Sequence, residues 1–204
     1  MARFFRSSLF FSLLFVGTGQ ADDHSPWSER FVAPAEIITD RVRLEPLKPD
    51  HTSLDFEAVM GSRNHLRKAL QWGGWPPEDM TLADNRKALQ NHWNEFQRRE
   101  AYAYTVLSID GETCLGCIYI EPLVSNKFAL DVAFWVTEDQ LATRLDHHIA
   151  RTLIGEFESS WPVNEVEFSI PSQYERGIEV FNELGLKTKS RNKQLTVFVW
   201  NRKD

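Results

Sequence analysis

A strand–loop–helix junction in the middle of the sequence has the character of an anion site. Residues 133–154 read AFWVTEDQLATRLDHHIARTLI, an apolar strand followed by a polar loop and a helix. Backbone N–H groups at the start of a helix attract phosphate-bearing ligands. Such loops usually contain glycine, which lets the backbone approach the phosphate, but there is none between Phe134 and Arg151. Two hypotheses stay open: an altered phosphate site, and a well-capped helix that binds nothing.

Several side chains on predicted strands could act as an acid or a base. Asp131 lies in mid-strand, on the face that it shares with Trp135. Partial burial there would raise the pKa of its carboxyl group, as is common for a catalytic base. Other strand-borne candidates are Tyr119, Glu121 and Glu167. For each of them the alternative is an ordinary strand residue that is solvated or hydrogen-bonded.

Two residue pairs could bind a metal ion, and their spacing argues against both. Cys114 and Cys117 lie in a predicted strand, where positions three apart face opposite sides and lie about 10 Å apart. A disulfide needs Cα atoms within about 7 Å, so two buried structural cysteines are predicted. His147 and His148 are adjacent on a predicted helix and point about 100° apart, which predicts a surface pair. No metal site is predicted.

Length and charge limit the class of protein. The chain has 204 residues, of which 42% are hydrophobic and 25% charged, as expected for one soluble domain. Its formal net charge is −6. Nucleic-acid binding needs a basic surface, so this charge argues against a nucleic-acid partner.

The first 21 residues resemble a secretory signal peptide. Two arginines precede a short apolar run, and the small residues Gly19 and Ala21 stand where cleavage would occur. The run is shorter than the roughly 20 residues of a spanning helix, so no stable membrane span is expected after cleavage. The sequence therefore predicts an exported protein. The alternative is an uncleaved leader or a wrongly chosen start, which would leave the protein cytoplasmic.

The remaining sequence predicts an N-terminal arm over 22–38 and one folded domain over 39–204. Asp110-Gly111 is a strong tight-turn signal between two strands, and Thr81 followed by Asp84 predicts the start of a long helix. The predicted order is β, α, α, β, β, β, α, β, α, β, β. That order is typical of one mixed sheet with helices on both faces.

Four stretches resemble the GNAT superfamily of acyl-CoA-dependent N-acyltransferases. They are ITDRVRLEPLKPDH, AYTVLSIDGETCLGCIYIEPL, AFWVTEDQLATRLDHHIARTLI and YERGIEVFNELGLK, and the likeness spans about residues 37–201. The resemblance implies a mostly antiparallel central sheet of six to seven strands, with helices on both faces. It also implies a parallel strand pair that splays in the middle of the sheet to hold acyl-CoA.

The resemblance further implies which residues contact the cofactor. The pantetheine arm would pair with the backbone of Trp135, Val136 and Thr137. The family's loop, Arg/Gln-x-x-Gly-x-Gly/Ala, falls on Leu141, Arg144 and Asp146, or one residue earlier in each case. The implied pyrophosphate contacts are Gln140, Thr143, Arg144 and Leu145. Arginine could replace a lost backbone contact with a charge-assisted bond, whereas Asp146 would repel a pyrophosphate.

The family often uses a tyrosine to protonate the leaving thiolate, and Phe181 stands at that position here. Tyr174, Ser172 or water would have to substitute for it. The loop with Trp72 and Trp75 matches the family's acceptor side, and aromatic side chains there suit an apolar or cationic acceptor.

Two functions follow from these observations. The first is transfer of an acetyl or other acyl group from acetyl-CoA or another acyl-CoA to a small-molecule or peptide amine, by a monomer or homodimer. The second is an exported, non-catalytic GNAT-fold protein that binds a ligand or a partner. Export favours the second, because acyl-CoA is expected in the cytoplasm.

Overall fold

The computed structural model of the chain describes residues 27, 31–123 and 128–203. The predicted signal peptide, residues 1–21, lies outside the described residues. Within the described part, no helix combines the length and the apolar character that crossing a bilayer requires.

One mixed sheet organises the described residues. Its strands are β1 (Ile37–Ile38), β2 (Arg43–Pro46), β3 (Tyr102–Leu107), β4 (Cys114–Pro122), β5 (Ala129–Val136), β6 (Glu165–Pro171), β7 (Lys187–Arg191) and β8 (Leu195–Asn201). The order across the sheet is β1-β2-β3-β4-β5-β6-β8-β7. Every neighbouring pair is antiparallel except β5 and β6, which are parallel. The prediction of a mostly antiparallel sheet with one central parallel pair is confirmed.

The sheet has eight strands, whereas six to seven were expected. The additional strand is β1, in which Ile37 pairs with Leu44 and Ile38 with Arg43. It is only two residues long and depends on pairing with β2, so the local sequence does not distinguish it from an arm. The folded domain therefore begins before residue 39.

Helices cover both faces of the sheet, as predicted. They are α1 (Thr52–Gly61), α2 (Arg63–Leu70), α3 (Leu82–Arg98), α4 (Leu145–Ser159) and α5 (Glu175–Glu183). Apolar residues of α1, α2 and α3 pack with Cys117 and Trp135 on one face. Those of α4 and α5 pack with Val132 and Val166 on the other. The predicted start of α3 is confirmed by a capping box, in which Thr81 Oγ1 accepts from the Asp84 N–H at 3.1 Å.

Trp27 and Phe31 of the predicted N-terminal arm pack into the larger of the two cores. Trp27 is 5% exposed, and its ring centroid lies 4.9 Å from that of Tyr102 and 5.5 Å from that of Trp161. Phe31 is also buried, with its centroid 5.0 Å from that of Trp161. These contacts make the described residues of the arm part of the folded domain.

Replacing Trp27 by alanine is therefore expected to destabilise the protein. Truncation of a buried aromatic side chain lowers the free energy of unfolding by about 3–5 kcal/mol. Urea denaturation followed by circular dichroism measures the change. Val32 is 84% exposed in the same arm, so Val32→Ala is the matched control and should change stability by less than about 0.5 kcal/mol. Equal, small effects of the two substitutions would show that the arm does not anchor the domain.

The two cysteines of β4 lie on one face of the sheet, and the predicted opposite orientation is wrong. Val106 pairs with Gly116 but Leu107 pairs with Cys114, so Leu115 is an additional residue in a β-bulge. The bulge reverses the alternation of side chains and turns Cys114 to the same face as Cys117. Both cysteines are free and buried, as predicted.

Candidate active site

The two parallel strands separate and leave a gap in the middle of the sheet. β5 pairs with β6 only at residues 129–131, opposite 165–167. Beyond that point β5 stays paired with β4 as far as Val136, and β6 stays paired with β8 as far as Pro171. The gap encloses ≈ 50 Å³ and is lined by both strands and by residues of α2, α4 and α5. This is the splayed strand pair that the family resemblance implied.

Only one of the three predicted backbone contacts faces the gap. The Thr137 N–H donates to the Leu115 carbonyl at 2.9 Å, which directs it toward β4. Because backbone groups alternate along a strand, those of Trp135 also point to β4, while those of Phe134 and Val136 point into the gap. The predictions for the Trp135 and Thr137 backbones are therefore wrong, and the cofactor contact of Val136 stays a prediction. Trp135 lines the gap with its side chain instead.

The glycine-free loop adopts a glycine-like conformation at one residue. Arg144 has φ 59° and ψ 35°, in the left-handed region, immediately before α4 begins at Leu145. Such angles cost a residue with a Cβ about 1–2 kcal/mol relative to glycine. The loop therefore keeps a backbone shape that glycine would favour. The Arg144 guanidinium forms an ion pair with Glu183 of α5, and its side chain is 51% exposed.

A carboxylate of the chain itself lies at the start of α4. Asp146 is 7% exposed and lines the gap. Its two oxygens accept from Arg176 Nε at 2.7 Å and Nη2 at 2.8 Å, and one also accepts from the His147 N–H at 2.9 Å. The position where helix N–H groups would attract a phosphate is thus taken by Asp146. The sequence offered no signal that Arg176, thirty residues away, would pair with it.

The rest of the loop is held by polar contacts. Arg41 Nη2 donates to the Thr143 carbonyl at 3.0 Å and to its Oγ1 at 3.1 Å. Thr143 Oγ1 in turn donates to the Gln140 carbonyl at 2.9 Å. Leu145 is 1% exposed and anchors the loop in the core, so its side chain cannot contact a ligand. Arg41 therefore contacts this loop directly, while Arg144 and Arg176 are paired with Glu183 and Asp146.

His147 and His148 are half-buried beside the loop, and the prediction of a surface pair is wrong. His148 Nε2 lies 3.0 Å from Thr39 Oγ1. Burial lowers the pKa of His148, and the positive charge of Arg41 lowers it further. The contacts of His148 tie the β1–β2 connection to α4.

Of the three predicted catalytic residues, only Tyr174 lines the gap. Burial, followed by the negative charge of Asp146, raises the pKa of Tyr174 to about 12, so its hydroxyl keeps its proton at neutral pH. Gly177 makes room for this ring: a Cβ there would lie 2.7 Å from Tyr174 Cδ1 and 2.8 Å from Ile170 Cγ2. The other hydroxyl considered, that of Ser172, donates to the Asn192 carbonyl at 2.8 Å.

Asp131 and Tyr119 lie outside the gap lining. Asp131 pairs with Glu167 at the last register position before the strands separate, which places it at the closed end of the gap. Tyr119 lies one strand away, where its hydroxyl accepts from Trp135 Nε1 at 3.4 Å. Burial raises the pKa of Tyr119 far above its ordinary value. Neither group is placed to reach a ligand bound at Val136.

Aromatic and acidic side chains meet on the face of the sheet that α1–α3 cover. The ring centroid of Trp72 lies 5.6 Å from that of Trp75 and 5.4 Å from that of Tyr119. On the same face Glu121 lies directly across from Asp131. Burial, and then the negative charge of Asp131, raises the pKa of Glu121 to about 7. We call Trp72, Trp75, Tyr119 and Glu121 the acceptor-side patch.

One further buried group brings together donor atoms that metal ions use. Asp55, Cys114 and Cys117 place a carboxylate oxygen and two sulfurs within 4.8 Å of one another. Asp55 Oδ1 already accepts from the Cys117 thiol at 3.1 Å, and Oδ2 accepts from Asn85 Nδ2 at 2.9 Å. The Asp55 carboxylate and the Cys117 thiol are thus joined in one buried hydrogen-bond network.

A histidine that the sequence did not single out also lines the gap. His65 of α2 is 7% exposed, and its ring centroid lies 6.0 Å from that of Tyr174. Burial lowers the pKa of His65, and hydrogen bonding to the Val136 backbone opposes this in part. Its stretch, RNHLRKAL, predicts only a helix. Nothing local shows that this helix lies across the separating strands.

Comparison with known proteins identifies the fold. No protein-family model matches the sequence, and no curated protein matches it. Among solved structures, the ribosomal-protein-S5-alanine acetyltransferase from Vibrio fischeri aligns with 84% of this chain and 98% of its own, at TM-score 0.68 and 11% identity. RimL, a ribosomal L7/L12 alpha-N-protein acetyltransferase solved with coenzyme A, aligns over 81% and 97%, at TM-score 0.70 and 12% identity.

The microcin C7 self immunity acetyltransferase MccE was solved in complex with acetyl-CoA and AMP. It aligns with 83% of this chain and 98% of its own, at TM-score 0.71 and 10% identity. At such low identities the similarity concerns the fold alone. The chain has the fold of the GNAT acetyltransferases, as the sequence resemblance predicted.

Proposed function

We propose that this protein transfers an acyl group from acyl-CoA to an amine. The observation that carries the proposal is the gap between β5 and β6, a narrow space that Val136 and Tyr174 both line. The two neighbours solved with coenzyme A and with acetyl-CoA support the choice of ligand. Acetyl-CoA is the simplest such donor.

The chemistry follows from groups that line the gap. A neutral amine attacks the thioester carbon, and the Val136 N–H donates to the carbonyl oxygen as negative charge develops on it. The new C–N bond forms as the C–S bond breaks. Tyr174, protonated at neutral pH because its pKa is raised to about 12, gives its proton to the leaving thiolate, and the proton that the amine nitrogen loses restores the Tyr174 hydroxyl.

The site suits the pantetheine arm of acyl-CoA better than it suits the pyrophosphate. The slender pantetheine arm suits a narrow gap with an open strand edge at Phe134 and Val136. The pyrophosphate would meet the first N–H groups of α4 and the charge of Arg41 and Arg144. The pyrophosphate would also meet the Asp146 carboxylate. Either this carboxylate moves away from Arg176 when the pyrophosphate binds, or the two negative groups lie side by side. We therefore expect weaker binding than a glycine-rich loop would give.

The acceptor-side patch supports an amine acceptor. Tryptophan rings attract cationic groups, and the carboxyl group of Glu121 lies on the same face of the sheet. A small molecule or a peptide that presents an amine beside an apolar or cationic group fits this composition.

The occupied start of α4 favours a second candidate function. The bidentate contact between Arg176 and Asp146 satisfies both groups without a phosphate. A GNAT-fold protein that binds a ligand or partner without catalysis is consistent with that arrangement. Export remains a prediction from residues 1–21. An exported protein would favour this second function, because acyl-CoA is expected in the cytoplasm.

Calorimetric titration with acetyl-CoA and with free CoA tests the proposed function. We expect micromolar binding, and we expect Arg144→Ala to weaken it about tenfold through the loss of one charge-assisted contact. The Arg144 side chain is 51% exposed, and exposed ion pairs are weak, so its release from Glu183 costs little. Arg191 is exposed on the edge strand β7, and Arg191→Ala is the matched control that should bind normally. No heat and no thermal shift at millimolar ligand would exclude acyl transfer and favour the binding protein.

A further inference from the structure

The histidine of the gap has no role in the chemistry described so far. His65 lies on α2, which packs against both β5 and β6 on the side that faces the acceptor-side patch. Its imidazole lines the gap with Val136 and Tyr174. The Tyr174 ring lies 6.0 Å away, centroid to centroid. His65 is therefore placed on the acceptor side of the atoms that would react, with Tyr174 nearby.

Acyl transfer to an amine needs a group in that place. The amine nitrogen must give up a proton for the amide to form, and water is scarce in a narrow, buried gap. A neutral imidazole has one nitrogen that accepts a proton. Histidine is effective in this role because its pKa lies near neutral pH.

The surroundings of His65 keep its imidazole neutral at pH 7. Burial is the largest influence and lowers its pKa. The charged groups that face it from the packed elements are Glu138, Asp146 and Lys68, the first two raising its pKa and the last lowering it. Tyr174, the fourth titratable neighbour, carries no charge at that pH.

The rival bases are carboxyl groups at the closed end of the sheet gap. Glu121 has a pKa of about 7, which is a suitable value for a base. It pairs with Asp131, below the point where β5 and β6 separate, and neither residue lines the gap. His65 lines the gap and the two carboxyl groups do not, so position favours His65 as the base.

We propose that His65 is the catalytic base that accepts the proton of the attacking amine, an inference that rests on the acyltransferase function proposed above. The amine nitrogen forms the C–N bond, its proton passes to the free imidazole nitrogen, and the C–S bond breaks. Tyr174 protonates the thiolate. The imidazolium then returns a proton to the Tyr174 phenolate, directly or through water, so the net products are the amide and free CoA thiol.

The test combines kinetics with separate binding measurements. Thiol release from acetyl-CoA is followed from pH 5 to 9 with spermidine, with an alanine tripeptide and with water as acceptors. We expect His65→Gln to lower kcat at least about 100-fold, the usual contribution of a general base. We also expect it to remove the fall in rate at acidic pH that protonation of His65 causes. Glutamine keeps a hydrogen-bonding amide, so the Kd of acetyl-CoA and the melting temperature should change little.

Two comparisons decide between the outcomes. Glu121→Gln should keep the acidic limb of the pH profile, and loss of that limb in Glu121→Gln but not in His65→Gln would overturn the inference. Full activity of a folded His65→Gln protein would also overturn it.

A nuclear magnetic resonance titration of the His65 ring provides a readout that does not need turnover. We expect a pKa below 6.5 in the free protein, with ring signals that shift when acetyl-CoA is added. If acetyl-CoA binds but the His65 signals do not respond, the inference fails while the binding site stands. If acetyl-CoA does not bind at all, the proposed function fails first.

Discussion

Replacing Gly116 by alanine is expected to disrupt both the fold and the gap. A Cβ at Gly116 would lie 2.1 Å from the Trp135 carbonyl oxygen and 3.0 Å from the Val136 Cα. Both obstacles are backbone atoms of β5, so no change of side-chain rotamer can relieve them. Overpacking in a core costs about 1–3 kcal/mol and occasionally more, and we expect this substitution to reach or exceed the upper value.

The same substitution should abolish acetyl-CoA binding, because the only escape is to push β5 away from β4 at Val136. Urea denaturation and calorimetry on the same preparation measure both effects. Gly155 lies in α4 with nothing within 4 Å of an added Cβ. Gly155→Ala is therefore the control, and it should raise the free energy of unfolding by about 0.5–1 kcal/mol through helix propensity. Unchanged stability in Gly116→Ala would mean that β4 and β5 are not packed as closely as described.

The elements that could be predicted are those whose signals are local. The helix Leu145–Ser159 has an apolar stripe, and α3 begins with a Thr81–Asp84 capping box, a pattern within four consecutive residues. The β-bulge at Leu115 has no such signal. It arises from the pairing of β4 with β3, and it alone turns Cys114 toward Cys117. Pairing also creates β1, two isoleucines that become a strand because Leu44 and Arg43 lie beside them.

The residues of the candidate site also fall into two groups, those that the sequence indicated and those that only the fold brings together. The family resemblance pointed to Val136 as a cofactor contact and left Tyr174 as a substitute for the family's tyrosine, and both residues line the gap. It could not place His65, because only the packing of α2 over two separating strands brings that ring to Val136. The sequence shows that the loop lacks glycine. It does not show that Arg144 adopts left-handed backbone angles, because these angles depend on how the loop folds.

Replacing Asp146 by asparagine is expected to strengthen CoA binding at least tenfold. The carboxylate lines the gap at the start of α4, where a pyrophosphate would lie, and it holds Arg176 at 2.7 Å. Like charges about 5 Å apart repel by about 3 kcal/mol at an effective dielectric constant of 20. Relief of half of that repulsion corresponds to about a tenfold change in Kd. The substitution also releases Arg176 to pair with the phosphates.

Pantetheine supplies the decisive comparison, because it has the arm of CoA without the pyrophosphate. Calorimetry should show that Asp146→Asn leaves pantetheine binding within about twofold of the original while CoA binding tightens, and that Arg176→Gln weakens CoA binding. Asp139 lies exposed in the same loop, so Asp139→Asn controls for a general change of charge and should have a small effect. If Asp146→Asn weakens CoA instead, the carboxylate must serve to aim Arg176 at the phosphates. The ion pair would then be part of a working cofactor site, because orienting a cation would outweigh the repulsion that Asp146 exerts.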